Sequence, residues 1–409
     1  MKKKYNIGVL SDQFINWGGG IDFIRLILNS LSSLEKGTEN KINVFVFIPK
    51  QSKNKIRFKN NLKRFINLFR HKKYQLQRII LNESIEKSFL GIGDSFKIIF
   101  YNEGETSLIK EVLKLKIDII IPTFSTLSPN FPIPWVGYLY DFQHKYYPSF
   151  FSKQDITLRN NQFSSMLNKA DTIIVNSKSV KNDVNKFYGK EAFDKVFALP
   201  FCPILNVDFF KSNVDLKTYN LPEKYFMVSN QFWKHKDHVT AFKAFRLFLN
   251  SVDNKDVFLV CTGQTQDARF PDYFETLQGL LIDLNLSDNV LILGYIPKID
   301  QLQILKNCIA IIQPTLFEGG PGGGAVFESV AYGVSSIVSD IAVNKEIEDE
   351  TVTFFKTGSE IDLTKKMLSV FQKDKQEYSS EELVLKNNYS LLKMGEQILN
   401  IINKEKNIT

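Results

Sequence analysis

Short apolar runs alternate with longer amphipathic ones along almost the whole chain, and the alternation stops once and restarts. In the first half, strand-like runs fall at residues 6–10, 42–47, 97–101, 117–121, 136–140, 172–175 and 196–199. Helix-like runs lie between several of them, at 22–34, 59–69, 107–115, 154–168 and 179–187. Asn206, Asp208, Ser212, Asn213, Asn220 and Pro222 then break the pattern over 205–222, as a linker does. Strands follow at 225–229, 257–261, 290–293, 309–313 and 336–339, with helices at 238–249, 273–284, 298–305 and 325–332. Strands joined through helices pair in parallel, and both faces of their sheet are covered. The predicted fold class is therefore α/β, with two doubly wound Rossmann-like domains. A length of 409 residues, more than one core usually serves, agrees. The expected division is residues 1–204, a linker at 205–222, residues 223–380, and a closing amphipathic helix within 381–409.

In such sheets ligands sit beyond the carboxyl ends of the strands. There, residues 315–347 read TLFEGGPGGGAVFESVAYGVSSIVSDIAVNKEI. Glu318 and Glu328 bracket Gly319, Gly320, Pro321, Gly322, Gly323 and Gly324. Ordering so many glycines is entropically costly, and what they offer in return is positive φ and close approach of a ligand to the backbone. The run leaves a strand and enters a helix, which places backbone N–H groups at a helix N-terminus suited to an anion. A carboxylate on each side suits a ligand with phosphates at one end and hydroxyls on either side, as in a nucleotide sugar. Read alone, the tract also fits a flexible turn with solvated glutamates. No Gly-Lys-Ser/Thr follows it, so it is not a nucleoside-triphosphate loop, and the dinucleotide Gly-x-Gly-x-x-Gly order is absent.

Three other segments follow strands in the same way. Gly18, Gly19 and Gly20 come after the first strand and before a helix. Residues 229–238 read SNQFWKHKDH after the first strand of the second half, and residues 140–148 read YDFQHKYYP after the strand at 136–140. His235 and His238 stand three apart with no third ligand nearby, so no metal site is expected. The chain also has no Asp-x-Asp pair to hold a divalent ion. Residues 176–179, NSKS, read as a helix cap.

The tract is similar to the glutamate-glycine motif of family-4 glycosyltransferases, retaining enzymes of the GT-B fold, in which two Rossmann-like domains face each other across a cleft. The resemblance implies that Glu318 faces the donor sugar and Glu328 holds the ribose hydroxyls. Gly320, Gly322, Gly323 and Gly324 would meet the donor, as would Gly19 and Gly20, which resemble the family's amino-terminal glycine loop. Lys236 matches a family lysine that pairs with the diphosphate, whereas Gln231 stands where an arginine is common. Asp141 and His144 match a polar pair beside the donor sugar, with Tyr140 in place of a family histidine; with Glu318 they are the expected catalytic residues, although a loop histidine capping a backbone group fits His144 as well. Gly263, Tyr295 and Ile296 would line the nucleotide base. Nine residues separate the two glutamates, two more than in the family motif, which puts the reach of Glu318 in question. The closing helix would cross back to the first domain.

What the resemblance implies in function is retaining, metal-independent sugar transfer from a nucleotide-diphosphate sugar to a saccharide acceptor, lipid-linked, in bacterial surface polysaccharide assembly. The alternatives are a nucleotide-sugar epimerase of the same fold and an inactive paralogue acting as a scaffold. No cofactor is expected beyond the donor substrate.

Composition sets the remaining bounds. With 44% hydrophobic and 23% charged residues, the chain has an ordinary globular make-up. Cys202, Cys261 and Cys308 are dispersed in apolar settings, as buried free thiols of a reducing compartment would be. Neither a signal peptide nor a membrane-spanning run is expected. Residues 50–78 hold eleven Lys or Arg and no acid, while the whole chain carries only +8. Within that segment Phe58, Leu62, Phe65, Ile66 and Phe69 recur with helical period. Such a helix suits an anionic membrane surface, although a solvated charged face fits the same pattern. No RNA-recognition or zinc spacing accompanies it, so no nucleic-acid partner is expected. The expected location is cytoplasmic, peripheral on the inner face of the membrane.

Overall fold

The computed structural model describes residues 4–16, 18–37, 41–50, 96–205, 215–253, 256–374 and 376–408. The basic amphipathic segment lies, except for Lys50, outside the described residues. Strands β1 (Lys4–Leu10), β2 (Lys41–Pro49), β3 (Phe96–Tyr101), β4 (Ile119–Thr123), β5 (Trp135–Leu139), β6 (Thr172–Val175) and β7 (Val196–Ala198) form a seven-stranded sheet in the order β3-β2-β1-β4-β5-β6-β7. Strands β8 (Lys224–Ser229), β9 (Val257–Thr262), β10 (Val290–Gly294), β11 (Ile311–Gln313), β12 (Ser336–Ser339) and β13 (Val352–Phe355) form a second sheet, ordered β10-β9-β8-β11-β12-β13. The described pairings are parallel, as from Lys4 opposite Lys41 to Leu10 opposite Phe47. Strands of this kind are buried on both faces, which is why IIIPT in β4 and TIIV in β6 are buried at every residue.

Each sheet winds outward and then returns beside its first strand, β4 beside β1 and β11 beside β8. Such a reversal opens a crevice at the carboxyl ends of the two strands. By contact the chain forms two compact units: Met1–Leu139, Gln162–Ile174 and Leu391–Thr409 make one, and Tyr140–Asn161 with Val175–Ser390 the other. Asp141 and His144 thus belong to the same unit as both motif glutamates.

The abundance of phenylalanine has a structural outlet in this second unit. Phe226, Phe232, Phe242, Phe245 and Phe248 are fully buried in one cluster, with Phe274 and Phe371 packed against it. Each such side chain contributes about 1.5–3 kcal/mol through burial, and the cluster anchors the helix His238–Ser251 beneath the β8 loop. The three cysteines are buried and none is in a disulfide. Among the described residues no helix is long and apolar enough to cross a membrane.

Helix starts depart from the sequence pattern where glycine leads. The helix after β1 spans Gly18–Gly37 and that after β11 spans Gly323–Ala331, so glycines expected in a preceding turn lie in the first helical turn. Glycine costs a helix interior about 1 kcal/mol against alanine, which is why the pattern excludes it. Strand β13 and the helix Glu360–Phe371 went unpredicted, as did the short helices Gln143–Tyr146 and Lys190–Asp194. The strand VTFF follows the acidic run 346–350 and is only half-buried at three of its four positions, so its alternation is weak. Ser177 does cap a helix, Lys178–Tyr188, its hydroxyl accepting from the Val180 N–H at 3.0 Å.

Candidate active site

The order β10-β9-β8-β11 sets four carboxyl-end loops side by side. Backbone contacts fix them to one another. The Gly263 N–H donates to the Gly294 carbonyl at 2.8 Å. Gly263 has φ +136°, and a Cβ there would lie 2.0 Å from the Asn230 carbonyl oxygen, so only glycine lets the β8 and β9 loops approach so closely. The His235 carbonyl accepts from the Leu316 N–H at 2.8 Å and the Thr315 hydroxyl at 3.2 Å, which joins the β8 loop to the β11 loop.

That junction brings Lys236 to Glu318. Lys236 Nζ donates to Glu318 Oε1 at 2.5 Å, and both side chains are nearly buried, at 9% and 11% exposure. Gln313 Nε2 donates to the same oxygen at 3.2 Å, and Gln313 Oε1 accepts from Asn230 Nδ2 at 2.5 Å. The longer loop leaves Glu318 within hydrogen-bonding distance of Lys236. It closes the glutamate onto the lysine assigned by resemblance to the diphosphate.

The glycines each meet something different. A Cβ on Gly319 would lie 2.4 Å from the Tyr140 carbonyl and 2.8 Å from Asp141 Cβ. Gly320 faces Asn176, 3.4 Å from the ideal Cβ position. Gly322 has φ +69°, and its N–H donates to Asn344 Oδ1 at 2.8 Å, so that donor is already engaged. Gly323 has φ +63°, and its ideal Cβ would stand 3.3 Å from the Glu318 carboxyl. A Cβ on Gly324 would enter open space.

Asp141 lies beside this loop and is partly buried. Its Oδ1 accepts from the Gln143 N–H at 2.9 Å and stands 3.6 Å from Arg159 Nη1. Burial raises its pKa, opposed by Arg159 and the Gln143 hydrogen bond, while Glu318 adds to the rise. The Arg159 guanidinium packs on Phe151 at 4.6 Å and Tyr140 at 5.2 Å. Arg269 is held by Asp267 through Nε and Nη2, both at 3.1 Å, with its guanidinium 5.3 Å from the Trp233 ring. His144 sits on the one-turn helix Gln143–Tyr146, buried, with Nε2 3.1 Å from Asn160 Oδ1. An amide oxygen only accepts, so Nε2 carries the proton and Nδ1 the lone pair. Burial pushes the His144 pKa down to about 4, which keeps the ring neutral at pH 7.

Glu328 lies on the helix Gly323–Ala331 and is ion-paired with Lys298. Gln301 Nε2 donates to Glu328 Oε2 at 3.1 Å and to Ser229 Oγ at 2.6 Å, holding the carboxylate beside the β8 end. Tyr295 is 85% exposed, Ile296 is half-buried, and Gln231 is exposed. Gly19 and Gly20 lie in the other unit, in the first turn of Gly18–Gly37. His235 and His238 are buried, and desolvation pushes their pKa values to about 2 and about 3. The His238 ring stacks on Phe232 at 4.3 Å, and no group of three metal-ligating side chains occurs among the described residues.

Six residues of this site were not singled out from sequence: Gln313, Lys298, Gln301, Asn344, Arg159 and Arg269. A polar residue closing the apolar run 309–313 was a usable signal for Gln313, and Lys298 with Gln301 share one helix face. For Asn344, Arg159 and Arg269 only the tertiary fold supplies the partner.

Residues 214–382 match the family model described as glycosyl transferases group 1. The chain is 25% identical over 150 residues to the alpha-1,3/1,6-mannosyltransferase ALG2 of Saccharomyces cerevisiae, covering 36% of this chain and 29% of that one. It is 24% identical over 260 residues to the O-antigen chain mannosyltransferase RfbU of Salmonella typhimurium, covering 56% and 68%. A glycosyltransferase structure from Rickettsia africae superposes with a TM-score of 0.59 at 16% identity, covering 98% of each chain. The motif tract and its helix lie inside the region that is similar to the group 1 glycosyl transferases, which spans less than half of the chain, and the two-sheet architecture of the whole is the GT-B fold.

Proposed function

We propose that this protein transfers a sugar, with retention, from a nucleotide-diphosphate sugar to a saccharide acceptor of bacterial surface polysaccharide assembly. The observation that carries the reading is the convergence of Lys236, Glu318 and the glycine loop at the carboxyl ends of β8 and β11. A buried lysine and the helix start at Gly323 suit a diphosphate, and charged hydrogen bonds of this kind are worth about 1.5–3 kcal/mol each. Glu328, steadied by Gln301, grips the ribose hydroxyls in this reading. We read the step as same-face attack, in which no residue is required as a covalent nucleophile. In that step the acceptor oxygen bonds the anomeric carbon as the bond to the diphosphate breaks, and the acceptor proton passes to the leaving phosphate oxygen. His144, kept neutral by burial, serves in this reading as an orienting group rather than an acid.

We read the transfer as metal-independent, since the sequence has no Asp-x-Asp pair and Lys236 offers the compensating charge. We read the acceptor as lipid-linked and the location as the inner face of the cytoplasmic membrane, on the strength of the basic segment at 50–78. The test is a panel of nucleotide sugars screened for thermal stabilisation, a saturating ligand at about 100 times its Kd adding about 2.7 kcal/mol. Acceptor-dependent release of nucleoside diphosphate, with the donor's anomeric configuration kept in the product, is the expected result. Interconversion of free nucleotide sugars, or binding without turnover for every donor, would overturn it.

A further inference from the structure

Lys236 is the lysine buried among the described residues, and its ammonium donates to a carboxylate of the same chain. The position of that carboxylate is specific. It receives Lys236 Nζ at 2.5 Å and Gln313 Nε2 at 3.2 Å, and it lies against Gly323, the first residue of the helix Gly323–Ala331. A Cβ at Gly323 would approach the Glu318 carboxyl to 3.3 Å, so this helix start leaves room for an anion and Glu318 fills it. Cation, amide donor and helix start are the groups a diphosphate would use. We infer that the Glu318 carboxylate is an internal counter-ion, occupying the diphosphate position until the donor displaces it. The inference rests on the proposed donor class.

The consequence is an exchange of partners. A diphosphate carries more charge than one carboxylate and wins Lys236, and the released Glu318 must then find a new donor. A hydroxyl of the sugar attached to that same diphosphate would supply it. Nucleotide binding and sugar orientation are thereby coupled, since Glu318 turns toward the sugar only when Lys236 has been taken. The lysine also never stands alone in a buried setting, which would be the costly state. Gln313, itself held by Asn230, keeps its amide aimed at the vacated position and is a further positioning residue.

The experiment is calorimetric titration of the full chain with inorganic pyrophosphate, comparing the parent with Glu318→Gln, Glu318→Asp and Lys236→Met. If Glu318 competes with the ligand, Glu318→Gln binds pyrophosphate about tenfold more tightly than the parent, from one charged hydrogen bond no longer opposing it. Glu318→Asp, which withdraws the carboxylate by one methylene, shifts the affinity in the same direction by less and serves if the glutamine variant does not fold. Lys236→Met abolishes binding. Folded Glu318 variants that bind pyrophosphate no better than the parent would overturn the counter-ion, as would an absence of pyrophosphate binding by every protein. Failure of the proposed activity is separate: it is read from transfer with nucleotide sugars, on which these titrations do not depend.

Discussion

Both motif glutamates are paired with a lysine, but in opposite surroundings. Glu318 and Lys236 are nearly buried, at 11% and 9% exposure, inside a polar network that includes Gln313 and Asn230. Glu328 is at 14%, yet its partner Lys298 is 52% exposed and reaches in from solvent. One pair is part of the packing, and the other is laid on its surface. The same two residue types therefore carry different energetic weight, and substitution separates them.

The largest effect is expected at the buried pair. Glu318→Ala or Lys236→Met alone strands the other charge, costing about 3–5 kcal/mol of stability. The double variant Glu318→Ala with Lys236→Met removes both charges and should lose less than the sum of the two single losses. Urea unfolding of the four proteins measures the coupling. Additive losses would mean that the two groups are not partners in solution.

This contrast also marks what the sequence could say. The alternation of apolar runs foretold two parallel α/β sheets, and the glutamate-glycine tract located the loop that holds Glu318 and the helix that holds Glu328. Pairing was not legible. Lys236 and Glu318 are 82 residues apart, and what joins them is the register of the β8 and β11 loops through the His235 carbonyl. Gly263 was singled out for a nucleotide base, but its side-chain-free Cα first serves contact with the Asn230 backbone, a demand visible only once β8 and β9 are neighbours. Strand β13 and the helix after it escaped because neither has a strong apolar period, and they find their place by packing on β12 and the helix His238–Ser251.

The next effect lies two residues from Lys236 and extends the comparison to a buried group that is neutral. Burial holds the His238 pKa at about 3, far below its ordinary 6.5. The unfolded chain therefore takes up this proton first as pH falls. The stability gained from keeping the ring neutral is complete above pH 6.5 and is lost progressively toward pH 3. One proton contributes a slope of at most about 1.4 kcal/mol per pH unit in that window. His238→Phe keeps the aromatic stack on Phe232 and removes the proton, so its stability should fall less steeply between pH 6.5 and 4 than the parent's. Equal slopes would show that acid sensitivity originates elsewhere.

A milder change comes from Ser177→Ala, which removes the cap of the helix Lys178–Tyr188. Loss of such a hydroxyl costs about 1 kcal/mol. The Glu346 carboxylate accepts from the Lys178 and Ser179 N–H groups at 2.8 Å and 2.7 Å, so the helix start keeps an anionic acceptor and the loss should fall at the lower end. Ser177→Ala combined with Glu346→Gln should then cost more than the two separate losses added together, a result thermal unfolding can read.

The smallest effect on stability is expected at Lys298. Its head group is solvated, so an ion pair with Glu328 gains little over water and is screened by salt, typically contributing 0.2–1 kcal/mol, about the limit of measurement. Lys298→Met should therefore leave unfolding within about 1 kcal/mol of the parent. Gln301 keeps its hydrogen bond to Glu328, so the carboxylate stays oriented although its lysine is gone. On that footing Lys298→Met should retain nucleoside-diphosphate binding while Glu328→Ala weakens it, because the ribose loses its acceptor only in the second. A loss of several kcal/mol in Lys298→Met would show that the two glutamates are equivalent after all, both held by pairs on which the fold depends.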